Sequence, residues 1–112
     1  MKQGEIWLVN MNATIAESDH KVPVVIINDN ALRKLPLKII APLMDWKEHF
    51  SLAPWMISVN PSNQNGLTKR AAIDCFQIRS VSETLLTKRI GTIAFSDFLQ
   101  IQEGILKVIG YM

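Results

Sequence analysis

Two side chains suited to proton transfer and charge neutralisation stand together at His20-Lys21, directly ahead of the apolar run Val22-Pro23-Val24-Val25-Ile26-Ile27. An imidazole changes charge near neutral pH and a lysine ammonium is a compact point charge, so the pair suits acid–base work on a phosphate. The competing reading is a solvated loop in which both are ordinary surface residues. Lys69-Arg70 and Lys88-Arg89 would draw a polyanion if they share a face, and otherwise only solvate the surface. Trp46, in the polar stretch Asp45 to Phe50, is placed to stack on an unpaired base, whereas Trp55 begins an apolar run and reads as core. Asp74 suits either a structural hydrogen bond or acid–base work. Cys75, the single cysteine, lies in an apolar run and reads as a small buried hydrophobe rather than a reactive thiol.

These groups need a frame to hold them. Val22 to Ile27 is a continuous β-branched run opened by a proline and closed by Asn28-Asp29-Asn30, the pattern of a strand buried on both faces. The segment Ser18 to Lys21 is then a loop at its mouth, where a rigid strand can mount chemistry. Glu5 to Asn10 is a first strand entered through Gly4. Asn30 to Leu35 forms a helical turn or two, capped by Asn30 and stopped by Pro36. Leu37 to Leu43 and Trp55 to Val59 are further strands. Asn60 to Gly66 is rich in turn formers and ends in Asn-Gly, a reversal of direction. Ala71 to Val81, preceded by Thr68-Lys69-Arg70, is the longest strand candidate, and Lys88 to Ile93 the last. From Ser96 the period changes to that of a helix, with Phe98, Ile101, Ile105 and Ile109 on one stripe. That stripe is core or a dimer interface, and no cofactor is expected there.

The 112 residues form one domain, 1–112, with room for a single core. Twelve Lys and Arg against ten Asp and Glu leave a net charge of +2, so nucleic-acid binding is permitted and any basic surface must come from clustering. One cysteine excludes an internal disulfide. No apolar run approaches the ~18 residues of a membrane span and no apolar leader is present, so the protein is expected in the cytoplasm, away from membranes. Short strands, closely spaced turns and one terminal amphipathic helix argue against a parallel α/β sheet. They fit a mainly β fold, a small SH3-like antiparallel barrel closed by a C-terminal helix.

Three blocks in order resemble the MazF/PemK family of toxins from bacterial type II toxin–antitoxin pairs. They are Gly4-Glu5-Ile6-Trp7-Leu8-Val9, Pro23-Val24-Val25-Ile26-Ile27, and Asp74 to Ser82, joined by Leu35-Pro36-Leu37-Lys38, Asn65-Gly66-Leu67 and the final helix. The resemblance implies a twofold homodimer of SH3-like barrels that binds single-stranded RNA in a surface groove. It implies metal-independent, sequence-specific cleavage, in which the 2′-hydroxyl attacks the adjacent phosphorus and leaves a cyclic phosphate and a 5′-hydroxyl. It also implies a cognate antitoxin that blocks the groove with an acidic C-terminal tail.

Such chemistry needs a base, a proton donor for the leaving oxygen and cations on the developing charge. In one branch of the family an Arg precedes the second-strand proline and a Thr follows the third strand; here these are Val22 and Met44. The other branch places an Arg and an Asp where this chain has Asp74 and Phe76, and a His near Glu17. Two accounts follow. In one, Lys21, His20 and Arg79, the last matching the family's Gln-x-Arg, take over catalysis, with Thr68, Lys69, Arg70, Gln77 and Trp46 holding RNA. In the other, the chain keeps the fold and engages antitoxin or RNA without cutting.

Overall fold

A computed structural model describes residues 1–10 and 21–110. Seven strands form one antiparallel, mainly β assembly: β1 (Glu5–Asn10), β2 (Lys21–Ile26), β3 (Leu37–Asp45), β4 (Met56–Val59), β5 (Ala71–Asp74), β6 (Arg79–Ser82) and β7 (Leu86–Thr92). Among the described residues one α-helix, α1 (Phe95–Ile109), follows. The strands run β4-β5-β3-β2-β1-β7, with β6 paired to β3.

β3 is the strand on which the site is built. Its first half pairs β6 through Leu37–Ile40 and β2 through Ile40–Pro42, and its last three residues pair β5. β5 and β6 thus lie end to end along one side of β3. They were expected to be one strand, Ala71 to Val81, but a 3₁₀ turn at Cys75–Gln77 divides it. The cause is Asp74, whose carboxylate accepts the Phe76 N–H at 3.0 Å and so caps the turn. A hydrogen bond to its own backbone won over strand propensity.

β2 is buried on both faces. Val25 enters the core beneath α1 with Ile6, Ala41, Leu43, Ile57, Ile73, Phe98 and Ile101. Its neighbours Val24 and Ile26 enter a second cluster with Val9, Ile40, Val81 and Leu86. Pro23 stands before the β3 ladder begins at Val24, where a missing donor is tolerated. Lys21, expected in the loop, is the first residue of β2, exposed and opposite Asn10.

Two further expectations are corrected. The turn after β2 is capped by Asp29, which accepts the Ala31 N–H at 2.7 Å, rather than by Asn30. Trp55 is not core: it is 36% exposed and leans on Phe76 at 5.8 Å between ring centroids. The helix stripe, expected to be core or a dimer interface, enters the core at Phe98 and Ile101, with Ile105 partly buried against it and Ile109 exposed.

Candidate functional site

The β2–β3 ladder separates two hollows. A shallow groove of about 800 Å³ is lined by Pro23, Leu43, Met44, Asp45, Leu67, Thr68, Lys69 and Ala71. A smaller, more enclosed pocket of about 200 Å³ is lined by Val22, Val24, Ile40, Pro42, Gln77 and Arg79. Both combine apolar walls with a few polar groups, the usual make-up of a ligand site.

In the groove, Lys69 and Asp45 form an exposed ion pair at 3.4 Å, each side chain more than two-thirds in solvent. Such a pair contributes little and is readily exchanged, so Lys69 can turn to an incoming phosphate. Arg70 is held more firmly. Its Nε donates to Ser58 Oγ at 2.7 Å, and its guanidinium lies 4.3 Å from the centre of the Trp46 ring. Phe50 packs edge-on against the same indole at 5.7 Å. Trp46 therefore has one face occupied by Arg70; the two residues flank the groove without lining it.

In the pocket, Gln77 and Arg79 stand at alternate positions around the turn that breaks β5 from β6. Arg79 is exposed, sits opposite Ile40 in the β3–β6 ladder, and has no ion pair among the described residues. Gln77 Nε2 donates to Asp74 Oδ2 at 2.7 Å, and Asp74 is 6% exposed. Both oxygens of Asp74 are thus engaged in holding the turn, which favours its structural reading.

The loop that carries Thr68 and Lys69 is fastened at a distance from the groove. Asn65 is buried; its Oδ1 accepts the Ser62 and Leu67 N–H groups at 2.9 and 3.0 Å, and its Nδ2 donates to Asn60 O at 2.9 Å. Thr92 N donates to Gln64 O at 2.9 Å, joining the loop to β7. The approach is so close that a Cβ on Gly91 would lie 2.4 Å from Asn65 O, and Gly66, at φ +69°, would meet Ile90 O at 2.5 Å. The backbone contact itself requires glycine at both positions.

The family model for the PemK-like, MazF-like toxins of type II toxin–antitoxin systems matches residues 2–109. The chain belongs to that family. Comparison with curated proteins finds no match. Among solved structures, a mycobacterial endoribonuclease in complex with its cognate antitoxin aligns with a TM-score of 0.81 at 15% identity, over 100% of this chain and 97% of its own. The Mycobacterium tuberculosis toxin MazF-mt6 aligns at 0.76 and 19% identity, over 95% and 96%. MazE–MazF from Deinococcus radiodurans aligns at 0.76 and 10% identity, over 100% and 97%. The fold is MazF-like.

The hollows of this MazF-like chain contain the two positions at which the resemblance implies Arg and Thr. Val22 is half-buried in the smaller pocket, and Met44 is half-buried in the groove. Of the candidates, the structure brings Arg79 and Gln77 into the pocket with Val22, and Thr68 and Lys69 into the groove with Met44. Lys21 stands one residue before Val22. His20 lies outside the described residues. Lys88-Arg89 lines neither hollow; Arg89 instead pairs with Glu5 at 3.6 Å. Sequence reasoning missed the apolar walls, Pro42 and Ile40 among them, which carry no chemical signal of their own. Phe76, which stands where one branch of the family has an Asp, is 63% exposed beside Trp55 and lines neither hollow.

Proposed function

We propose that this MazF-like toxin is a metal-independent endoribonuclease acting on single-stranded RNA, with the RNA lying across the β2–β3 ladder. The observation that supports it is the presence of Arg79 in the same pocket as Val22, so that a guanidinium borders the position from which the family's arginine is missing. The 2′-hydroxyl oxygen attacks phosphorus, its proton passes to a base, and the bond to the 5′-oxygen breaks as that oxygen takes a proton. The products are a 2′,3′-cyclic phosphate and a 5′-hydroxyl. Arg79 and Lys21 neutralise the phosphorane, and His20 is the titratable group offered for proton transfer. Lys69, Arg70 and Thr68 hold the backbone, and Gln77 and Trp46 meet bases. The sheet closes as an SH3-like barrel, the toxin acts as a homodimer, and a cognate antitoxin with an acidic tail occupies the groove.

A second reading is favoured by Val22 and Met44 themselves. Two apolar side chains at the positions of a cation and a hydroxyl leave a surface that binds RNA or antitoxin without turnover. Cleavage of a long single-stranded RNA in EDTA separates the two. Discrete cuts with 5′-hydroxyl ends, reduced about 100-fold in Arg79→Ala, support the enzyme. Silence from the natural chain, with cutting by Val22→Arg/Met44→Thr, supports the binding protein.

A further inference from the structure

Asn65-Gly66 is the one place in the chain where an asparagine precedes a glycine. In such a pair the backbone nitrogen of the second residue can lose its proton and attack the side-chain amide carbon of the first. A carbon–nitrogen bond forms, the amide nitrogen leaves as ammonia, and water then opens the five-membered imide to an aspartyl or an isoaspartyl residue. Glycine, having no Cβ, leaves the attacking nitrogen unhindered. The fold nevertheless calls for both residues. Asn65 is 3% exposed and makes three hydrogen bonds through its side chain. Gly66 has φ +69° and would press a Cβ to 2.5 Å from Ile90 O. The labile pair is required by the architecture, and its chemistry comes with it.

The hydrogen bonds divide into those that favour the reaction and those that stop it. The Ser62 and Leu67 N–H groups converge on Asn65 Oδ1 at 2.9 and 3.0 Å and polarise the carbon that would be attacked. The nucleophile is withheld. Gly66, though at the surface, donates its N–H to Ser62 O at 3.1 Å, which opposes loss of the proton. The leaving nitrogen, Nδ2, is tied to Asn60 O at 2.9 Å. From this we infer that Asn65 is a conditional modification site, stable while the loop from β4 to β5 is fastened and deamidated when that loop opens. The change runs one way. An aspartyl side chain sets an oxygen against Asn60 O and buries a charge there. An isoaspartyl residue adds a methylene to the backbone where even a Cβ on Gly91 would lie 2.4 Å from Asn65 O. Either product leaves open the loop that carries Thr68 and Lys69, so a local opening is converted into a permanent loss of that rim of the groove.

The modification needs neither RNA nor turnover, so its test stands apart from the proposed function. Purified protein would be held in mildly alkaline buffer at physiological temperature, with and without denaturing urea, and the peptide carrying Asn65 followed by mass spectrometry. In urea, Asn65 should gain its one mass unit well ahead of Asn63, which precedes Gln64. In the native chain the same gain should be slowed at least about 10-fold. Deuterium exchange of the Gly66 N–H requires the same bond to open, so the slowing should be at least as large as the exchange protection of Gly66. Ser62→Ala removes the hydroxyl that accepts the Asn65 N–H at 3.1 Å, and should lower that protection and hasten deamidation by the same factor. Once urea is removed, the deamidated chain should show no protection at Thr92, whose N–H donates to Gln64 O in the fastened loop. Equal rates in native and unfolded chains, a slowing smaller than the Gly66 protection, or a Ser62→Ala chain in which the two diverge would overturn the lock. No lead of Asn65 over Asn63 in urea would overturn the site itself, and a protected Thr92 in the deamidated chain would overturn the one-way step.

Discussion

At the scale of single residues, two buried groups give the clearest expectations. Burial tends to raise the Glu5 carboxyl, but the Lys2 N–H at 2.9 Å, the Trp7 indole N–H at 3.0 Å and the Arg89 charge hold it below its ordinary value of 4.5. In the window beneath 4.5 the unfolded chain binds the extra proton, so stability rises with pH. Glu5's contribution is complete above that value and is lost as pH falls through the folded-state value. In urea titrations across the acid range, Glu5→Gln should therefore flatten the dependence of the midpoint on pH. If its slope matches that of the natural chain, Glu5 is not the group responsible. Cys75 is the opposite case. Burial, with the nearby Asp74 charge, pushes its thiol up to about 12. A disulfide reagent at pH 8 should label the native protein only at its unfolding rate, and labelling should become immediate in denaturant.

At the scale of elements, the loop from β4 to β5 and the turn before β3 are held by side chains rather than by ladders. Asn65→Ala removes an acceptor shared by two N–H groups and a donor to Asn60, and should cost about 2–3 kcal/mol in urea unfolding. Because that loop carries Thr68 and Lys69, the same change should weaken RNA binding at a groove it does not line. The fully buried Lys38 donates to Arg33 O at 3.0 Å and Leu35 O at 2.7 Å and pairs with Glu83 at 3.3 Å. Lys38→Met should destabilise by about 2–4 kcal/mol, mainly through two carbonyls left unpaired, since Glu83 is 42% exposed and can turn to water. A loss below 1 kcal/mol, with unchanged cooperativity, would show that water replaces the ammonium.

At the scale of the whole molecule, the net charge of +2 is too small to hold RNA without clustering, and Lys21, Lys69, Arg70 and Arg79 are the cations proposed to supply it. Four phosphate contacts on a single strand give a slope of about −3 for log K against log salt. Substituting any one of the four by Ala should flatten the slope by about 0.7. Lys88→Ala, on a strand that lines neither hollow, should leave it unchanged. A slope near zero would argue against electrostatic capture along the β2–β3 ladder.

Most of the strands along the chain, the burial of β2 on both faces and the terminal helix were legible in the sequence. The signals are local: β-branched runs, turn formers, and a change of apolar period from Ser96 onward. Family membership was legible as well, because Gly4 to Val9, Pro23 to Ile27 and Asp74 to Ser82 keep their order along the chain. What only the tertiary structure decided is which of these residues meet. Asp74 breaks the longest strand and turns Gln77, because its carboxylate finds the Phe76 N–H before the ladder can continue. Trp46 is taken by Arg70, and Trp55 is left half in solvent because it stands just outside β4. Lys69 meets Asp45, and Asn65 meets Gly91, across more than twenty residues of chain. Such pairings depend on the register of non-adjacent strands, which no local pattern specifies, and they bring Arg79 to the pocket where Val22 stands.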